Sequence, residues 1–118
     1  MSDFVTIRLN PKEFIPAPAQ GVLTWQTKSE NIEVRKIIKK LHQSKVVKCT
    51  NVERKVLRML DGGCHMPLGV YCERDALGNF HVWATLSGGL DKELKFVSMS
   101  SSTTNELSEK VFEQLKDV

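Results

Sequence analysis

The sequence predicts an α+β domain in which two helices cover one face of a three-stranded antiparallel sheet. Three observations lead to this prediction. An apolar segment with helical spacing ends at a pair of glycines. Three segments rich in strand-forming residues follow, and the short turns between them are typical of an antiparallel meander. A second amphipathic segment then closes the chain, so both helices can bury their apolar sides in a two-layer α-β-β-β-α arrangement.

The first helix of this domain is predicted from Thr50 to Asp61. Thr50 and Glu53 match the Thr-x-x-Glu capping box, which is typical of a helix N-terminus. Such a cap stabilises a helix by about 1 kcal/mol. Gly62 and Gly63 end the helix. Its predicted apolar face comprises Val52, Val56, Leu57 and Leu60.

The three strands are predicted from Leu68 to Glu73, from Phe80 to Ser87 and from Glu93 to Ser100. The central strand alternates apolar and polar side chains with a period of two, which indicates that one face is buried. Turn-forming residues at 75–79 and 88–91 separate the strands. A second Thr-x-x-Glu box, from Thr103 to Glu106, predicts the start of the last helix.

Residues 1–48 are predicted to form a separate unit, with the α-β-β-β-α domain at residues 49–118. Three prolines oppose a helix before residue 20, so this part is expected to be extended and irregular. Val22 to Thr27 is rich in strand formers and predicts a lone strand that needs partners. A basic helix follows, capped by Ser29 or Asn31, and His42 to Lys48 is predicted to be a linker.

The composition and the cysteine pattern exclude several classes of protein. The charged content of 26% is ordinary, and a net charge of +3 identifies no partner by itself. The sequence has no signal peptide and no apolar segment long enough to span a bilayer, so we expect a cytoplasmic protein. The three cysteines form no Cys-x-x-Cys pair, so neither a disulfide framework nor a metal site is expected.

Cys64 is the most informative single residue. It follows Gly62 and Gly63, between the first helix and the first strand. In one interpretation the glycines leave the sulfur accessible to a bulky reactant, and a thiolate is a strong nucleophile. In the other, the glycines end a helix and form a turn, and Cys64 is a small buried hydrophobic residue.

Two blocks of the sequence resemble porphobilinogen deaminase, also called hydroxymethylbilane synthase. The first is Thr50-Asn-Val-Glu-Arg54 followed by Gly62-Gly63-Cys64, Pro67, Gly69 and Tyr71. The second, Ile15-Pro-Ala-Pro-Ala-Gln20-Gly21-Val, is similar to the family's Pro-Ala-x-Gly-Gln-Gly-Ala segment. The resemblance extends from about Leu9 to the end of the chain. It corresponds to the end of domain 2 and all of domain 3 of a three-domain enzyme.

The resemblance implies a cofactor site. Cys64 is expected to carry a dipyrromethane cofactor through a thioether, on the flexible loop formed by Gly62 and Gly63. Gln20 aligns with a glutamine that faces the cofactor, although a turn role before Gly21 explains it equally well. The cofactor is expected to be absent from the isolated chain.

The family joins four porphobilinogen molecules into hydroxymethylbilane and releases ammonia, in tetrapyrrole and heme biosynthesis. Its catalytic aspartate and its carboxylate-binding arginines lie upstream. No catalytic residue is therefore expected in this chain, and the isolated chain is expected to be inactive.

The implied partners are domains 1 and 2 of the same enzyme, porphobilinogen and the growing oligopyrrole. The full enzyme is expected to be monomeric, whereas the isolated chain is expected to self-associate through uncovered apolar surface. Two departures from the family stand out. Ala19 replaces the first glycine of Gly-Gln-Gly, so the turn is expected to have a conformation that alanine tolerates. Gln26-Thr27-Lys28 replaces the usual Glu-x-Arg.

Two other functions also fit the sequence. The first is a docking module without chemistry, which would bind another protein through the edge of Val22 to Thr27 or through its helix faces. The second is a double-stranded-RNA-binding domain, which has the same helix–three strands–helix order and uses basic groups to read the backbone. However, the last helix carries Glu106, Glu109 and Glu113, which oppose a phosphate partner. No nucleic-acid partner is therefore expected.

Overall fold

Helix, three antiparallel strands and helix follow one another in the computed structural model, which describes residues 3–60, 67–87 and 93–116. The elements are α1 (Ile32–Lys39), α2 (Ser44–Met59), β1 (Leu68–Arg74), β2 (Phe80–Ser87), β3 (Leu94–Ser101) and α3 (Leu107–Lys116). The predicted α-β-β-β-α order is thus confirmed. The turn predicted at 88–91 lies outside the described residues. Within the described ranges, no helix is long and apolar enough to cross a membrane.

The sheet has the strand order β1-β2-β3, and both pairs are antiparallel. Across it, Val70 lies opposite Ala84, which lies opposite Val97. The predicted alternation in β2 is confirmed, because its four apolar residues from Phe80 to Leu86 are all buried. α2 and α3 pack on this face and on each other. The buried core comprises Cys49, Val52, Val56, Val70, Cys72, Phe80, Val82, Ala84, Leu86, Val97, Leu107, Val111 and Leu115.

α2 begins at Ser44, well before the predicted capping box, so that prediction is wrong. Thr50 and Glu53 lie inside the helix, and both are buried. The predicted linker is wrong from Ser44 onward for the same reason. No glycine or proline occurs between Gln43 and Thr50. Because nothing there interrupts a helix, α2 extends back until Gln43 adopts an extended backbone.

The second capping box is also wrong, because α3 begins only at Leu107. Glu106, which would have to lie in the first helical turn, instead has a φ of +57°. α3 is attached to α2 by a buried hydrogen bond, in which Ser108 Oγ donates to the carbonyl oxygen of Val52 at 3.0 Å.

Val22 to Thr27 does not form the predicted strand. A strand needs a neighbour to complete its backbone hydrogen bonds, and the described sheet contains only β1, β2 and β3. The predicted basic helix is present as α1, where Asn31 Oδ1 accepts a hydrogen bond from the Val34 N–H at 3.2 Å. None of the residues of α1 is buried, so its amphipathic pattern has no partner within the described residues.

Residues 10–20, which we call the strap, pack against β1 and the outer face of the sheet. The Val70 N–H donates to the carbonyl oxygen of Pro16 at 2.9 Å. Lys12 Nζ lies 4.9 Å from the centre of the Trp83 ring. At Gly69 a Cβ atom would lie only 2.6 Å from the carbonyl oxygen of Ile15, so only glycine permits this approach. The strap therefore covers the outer edge of β1 in place of a fourth strand. The division into residues 1–48 and 49–118 stays a prediction.

Candidate functional site

The predicted attachment loop joins α2 to β1, and its Gly62, Gly63 and Cys64 lie outside the described residues. Both ends of the loop are held by the domain. Leu60, the C-cap residue that follows α2, packs against the core. On the other side, the carbonyl oxygen of Pro67 accepts a hydrogen bond from the Ser87 N–H at 3.1 Å. The loop thus starts and finishes at anchored positions.

Gln20 lies in a turn of the strap. Its Oε1 accepts a hydrogen bond from the Ala17 N–H at 3.2 Å, and its own N–H donates back to the Ala17 carbonyl oxygen at 3.2 Å. The turn role of Gln20 is therefore present, while its contact with a cofactor stays a prediction. Ala19 has a φ of +58°, in the left-handed region that favours glycine. The expectation that this turn has a conformation suited to alanine is wrong, because Ala19 occupies the left-handed region that favours glycine.

Glu53 connects the strap, α2 and β1. Its Oε1 accepts a hydrogen bond from the Ala19 N–H at 2.7 Å, and its Oε2 accepts one from the Cys72 N–H at 3.0 Å. Desolvation of the buried carboxyl group raises the pKa of Glu53, although both backbone hydrogen bonds act in the opposite direction. The carboxylate thus satisfies an N–H at the edge of β1 and fixes the turn that carries Gln20.

Sequence reasoning missed this role of Glu53. The burial of Glu53 could have been predicted, because Cys49, Val52, Glu53 and Val56 have the spacing of one helical face. The structure buries those residues, whereas Leu57, which was assigned to the apolar face, is 43% exposed.

Two of the three cysteines are buried against each other. The interaction between the thiols of Cys49 on α2 and Cys72 on β1 lowers the pKa of Cys49 and raises the pKa of Cys72. Burial is the largest cause that raises the pKa of Cys49 and the pKa of Cys72. Both groups are therefore neutral thiols at physiological pH, which makes them weak nucleophiles. Within the described ranges, no group of three His, Cys, Asp or Glu side chains is placed to hold a metal ion.

A cavity of about 550 Å³ lies where the strap, α2 and β1 meet. We call it the Gln20 cavity. Its volume lies within the range of about 300–1,000 Å³ that is usual for small-molecule sites. Polar lining residues include Gln20, Lys45, Glu53, Tyr71 and Arg74. Sequence reasoning missed Lys45 and Arg74, because they are distant in the sequence and belong to no motif.

A second cavity, of about 610 Å³, lies between residues 21–25, α1 and the start of α2. Several of the side chains that line it are apolar and largely exposed to solvent. Leu23, Trp25 and Leu41 line it and are 82%, 59% and 53% exposed. Ile37, on α1, is 61% exposed. We call these four residues the uncovered apolar face. Side chains of this size are usually covered by another part of a protein or by a partner.

Comparison with known proteins identifies the family. Residues 47–116 match the family model described as porphobilinogen deaminase, C-terminal domain. A porphobilinogen deaminase of Fusobacterium nucleatum is 40% identical over 73 residues, which cover 62% of this chain and 24% of that protein. The enzyme of Chloroherpeton thalassium is 34% identical over 108 residues, or 89% of this chain and 34% of that protein. The enzyme of Staphylococcus carnosus is 28% identical over 115 residues, which cover 98% of this chain and 37% of that protein.

These relatives are all much longer than the region matched. The chain spans between 24% and 37% of the lengths of these three proteins. The matching family model covers more than half of the chain, and it includes α2 from residue 47 onward, all three strands and α3. The chain therefore belongs to the porphobilinogen deaminase family and corresponds to its C-terminal domain.

Proposed function

We propose that this chain supplies the cofactor-bearing C-terminal part of a hydroxymethylbilane synthase. That enzyme is a transferase of tetrapyrrole and heme biosynthesis, and it joins four porphobilinogen molecules with release of ammonia. Membership of the porphobilinogen deaminase family supports the enzyme class. In this proposal Cys64 anchors a dipyrromethane cofactor through a thioether. In this proposal Gly62 and Gly63, which carry no side chains, would leave space around the sulfur.

The observation that carries this proposal is the state of the other two thiols. Cys49 and Cys72 are buried, and burial raises the pKa of each. Neither is suited to attack a carbon electrophile. Cys64 is the third cysteine of the chain, and it lies within the range that matches the family. It is therefore the thiol that we assign to attachment.

The described residues near the Gln20 cavity fit such a cofactor. When bound, dipyrromethane supplies the primer from which the oligopyrrole is extended. The cavity combines a volume of about 550 Å³ with apolar walls and several hydrogen-bonding side chains. Cys64 would hold the group covalently. The amide N–H₂ of Gln20 would donate a hydrogen bond to a carboxylate, because its Oε1 already accepts one from Ala17.

The remaining parts of the enzyme would come from an upstream polypeptide. In this proposal residues 1–48 complete domain 2, and residues 49–118 form domain 3. The uncovered apolar face supports such a partner, because it leaves Leu23, Trp25, Ile37 and Leu41 exposed. The upstream part would supply the catalytic aspartate and the substrate-binding arginines. The isolated chain would be inactive, and the assembled enzyme would be a cytoplasmic monomer.

Intact mass spectrometry tests the attachment. This chain would be produced together with the upstream part of the Chloroherpeton thalassium relative, then purified and mapped by peptide. We expect an added mass of two pyrrole units on the peptide that contains Cys64, which disappears in Cys64→Ser. Cys49→Ser, which changes a buried thiol, is the matched control and should keep the added mass.

An unmodified Cys64 in a complex that has demonstrably assembled would contradict the proposal. That result would favour the alternative of a docking module without chemistry. The uncovered apolar face is the observation that supports this alternative. Turnover of porphobilinogen by the pure chain would contradict the assignment of catalysis to the upstream part.

A further inference from the structure

The cations and carboxylates that line the Gln20 cavity are equal in number but are not paired with each other. Four charged side chains line it, namely Lys45, Glu53, Glu73 and Arg74. Glu53 already accepts two backbone hydrogen bonds, and Glu73 lies 3.4 Å from Lys12 Nζ. Among the residues that the structure describes, neither Lys45 nor Arg74 has a carboxylate within ion-pair distance. Two cations therefore remain available to an anion in the cavity.

The N-terminus of α2 adds to this positive potential. Lys45 and Val46, in the first turn of this 16-residue helix, line the cavity. That turn contains no acidic residue, and the side chain of Gln43 makes no capping hydrogen bond. The first N–H groups of a helix lack partners within the helix, and the helix dipole favours a negative charge beside them.

Lys45 and Arg74 line the same cavity as Cys49. Burial is the largest cause that raises the pKa of Cys49, and the charges of both cations oppose that rise. Arg74 is also held in place by packing, since its guanidinium carbon lies 5.5 Å from the centre of the Phe80 ring. A cation fixed in this way loses little conformational freedom when it binds a ligand.

We propose that Lys45, Arg74 and the N-terminus of α2 form a carboxylate-binding site in the Gln20 cavity. Its ligand is a pyrrole that carries two carboxylates. The carboxylates contact Lys45 and Arg74, and the ring packs against the apolar part of the wall. This inference rests on the proposed function and assigns part of the substrate grip to residues of this chain. The ligand is either free porphobilinogen or a pyrrole attached through Cys64, and two separate measurements distinguish these sources.

The first measurement is calorimetric titration of the full chain with porphobilinogen. We expect Lys45→Gln and Arg74→Gln each to weaken binding roughly tenfold, because each removes a charge-assisted hydrogen bond. Lys48→Gln is the matched control, since Lys48 is an exposed lysine of the same helix that does not line the cavity. 2-Aminomethylpyrrole, which lacks both carboxylates, should bind at least roughly tenfold more weakly than porphobilinogen. If Arg74→Gln does not fold, Arg74→Lys replaces it and should bind more weakly than the unchanged chain.

Equal affinities of Lys45→Gln, Arg74→Gln and Lys48→Gln for porphobilinogen would overturn the inference. Equal binding of 2-aminomethylpyrrole and porphobilinogen would overturn it as well. The second measurement repeats the mass analysis of Cys64 in the assembled protein. An added mass on Cys64, together with affinities that do not depend on Lys45 and Arg74, would reject this site and leave the proposed function standing. An unmodified Cys64, together with affinities for porphobilinogen that depend on Lys45 and Arg74, would support this site and contradict the proposed attachment at Cys64.

Discussion

Ala19 occupies a backbone conformation that costs an L-residue about 1 kcal/mol relative to glycine. Its φ is +58°, and its N–H donates to buried Glu53, so the turn cannot relax without losing that hydrogen bond. We predict that Ala19→Gly raises the free energy of unfolding by about 0.5 kcal/mol, because the relief of strain exceeds the added entropy of the unfolded chain. Urea denaturation measures this change.

Ala17→Gly provides the control for Ala19→Gly. Ala17 lies in the same turn but not among the residues of positive φ, so a glycine there should lower the free energy of unfolding. A decrease for Ala19→Gly as large as that for Ala17→Gly would contradict the prediction.

Glu53 illustrates how one buried carboxylate joins three segments. Glu53→Gln keeps the shape of the side chain but replaces one accepting oxygen by a donating N–H₂ group. One of the two backbone N–H groups that Glu53 now satisfies would lose its partner. We predict a loss of about 1–3 kcal/mol in the free energy of unfolding at pH 7, as expected for a buried donor without an acceptor. Urea denaturation checks the loss, and an unchanged stability would contradict it.

The difference in the free energy of unfolding between the unchanged chain and Glu53→Gln should depend on pH in a direction set by the pKa of Glu53. Burial raises the pKa of Glu53 above its ordinary value of 4.5, so the folded state binds the proton more tightly than the unfolded state does. The contribution of Glu53 to stability is therefore greatest below pH 4.5 and falls as the pH rises through the raised pKa. We predict that the stability difference between the unchanged chain and Glu53→Gln grows as the pH is lowered from 7 towards 4.5. A difference that shrinks over this range would contradict the assignment.

Among the elements, α1 differs from the other helices because it buries none of its residues. α2 and α3 each contribute residues to the core. Most of the stability of a short helix comes from packing of its apolar side, so α1 should open locally without unfolding of the domain. We predict that hydrogen exchange of α1 amides is at least roughly tenfold faster than that of the central turns of α2.

The matched comparison is the hydrogen exchange of α1 with and without the upstream polypeptide bound. Docking of that polypeptide should slow exchange in α1, because Ile37 and the rest of the uncovered apolar face would then be buried. Equal protection of α1 and α2 in the isolated chain would contradict the prediction.

Element boundaries show where local patterns lose their predictive power. The period of two in β2 predicted its buried face correctly, because that strand lies between two others and packs against the helices. The capping boxes failed, because a cap fixes a helix start only where the preceding residues cannot continue the helix. Val22 to Thr27 failed as a strand, since strand formers produce a strand only beside another strand.

At the scale of the whole molecule, the strap makes the α-β-β-β-α domain depend on residues outside its own sequence range. We predict that deletion of residues 1–20 lowers the free energy of unfolding of the rest by roughly 2 kcal/mol or more. The deletion removes the acceptor of the Val70 N–H and uncovers Trp83. Thermal and urea denaturation would measure the loss.

Deletion of residues 1–9 is the control for deletion of residues 1–20, because it shortens the chain but leaves the strap in place. Residues 1–9 include Val5 and Ile7, which are 94% and 81% exposed, so their removal should change the stability little. If deletion of residues 1–20 had an equally small effect, the strap would not be part of the domain's fold.

The sequence by itself determined the fold class and the family, because helical spacing, the alternation of strands and the two glycine-containing blocks are local patterns. Only the tertiary structure decided that Glu53 is buried between Ala19 and Cys72, and that Lys45 and Arg74 line the same cavity as Gln20. The physical reason is that a local pattern fixes which face of an element is apolar. Which distant groups share a cavity, and which charges remain unpaired there, depends on how the elements pack.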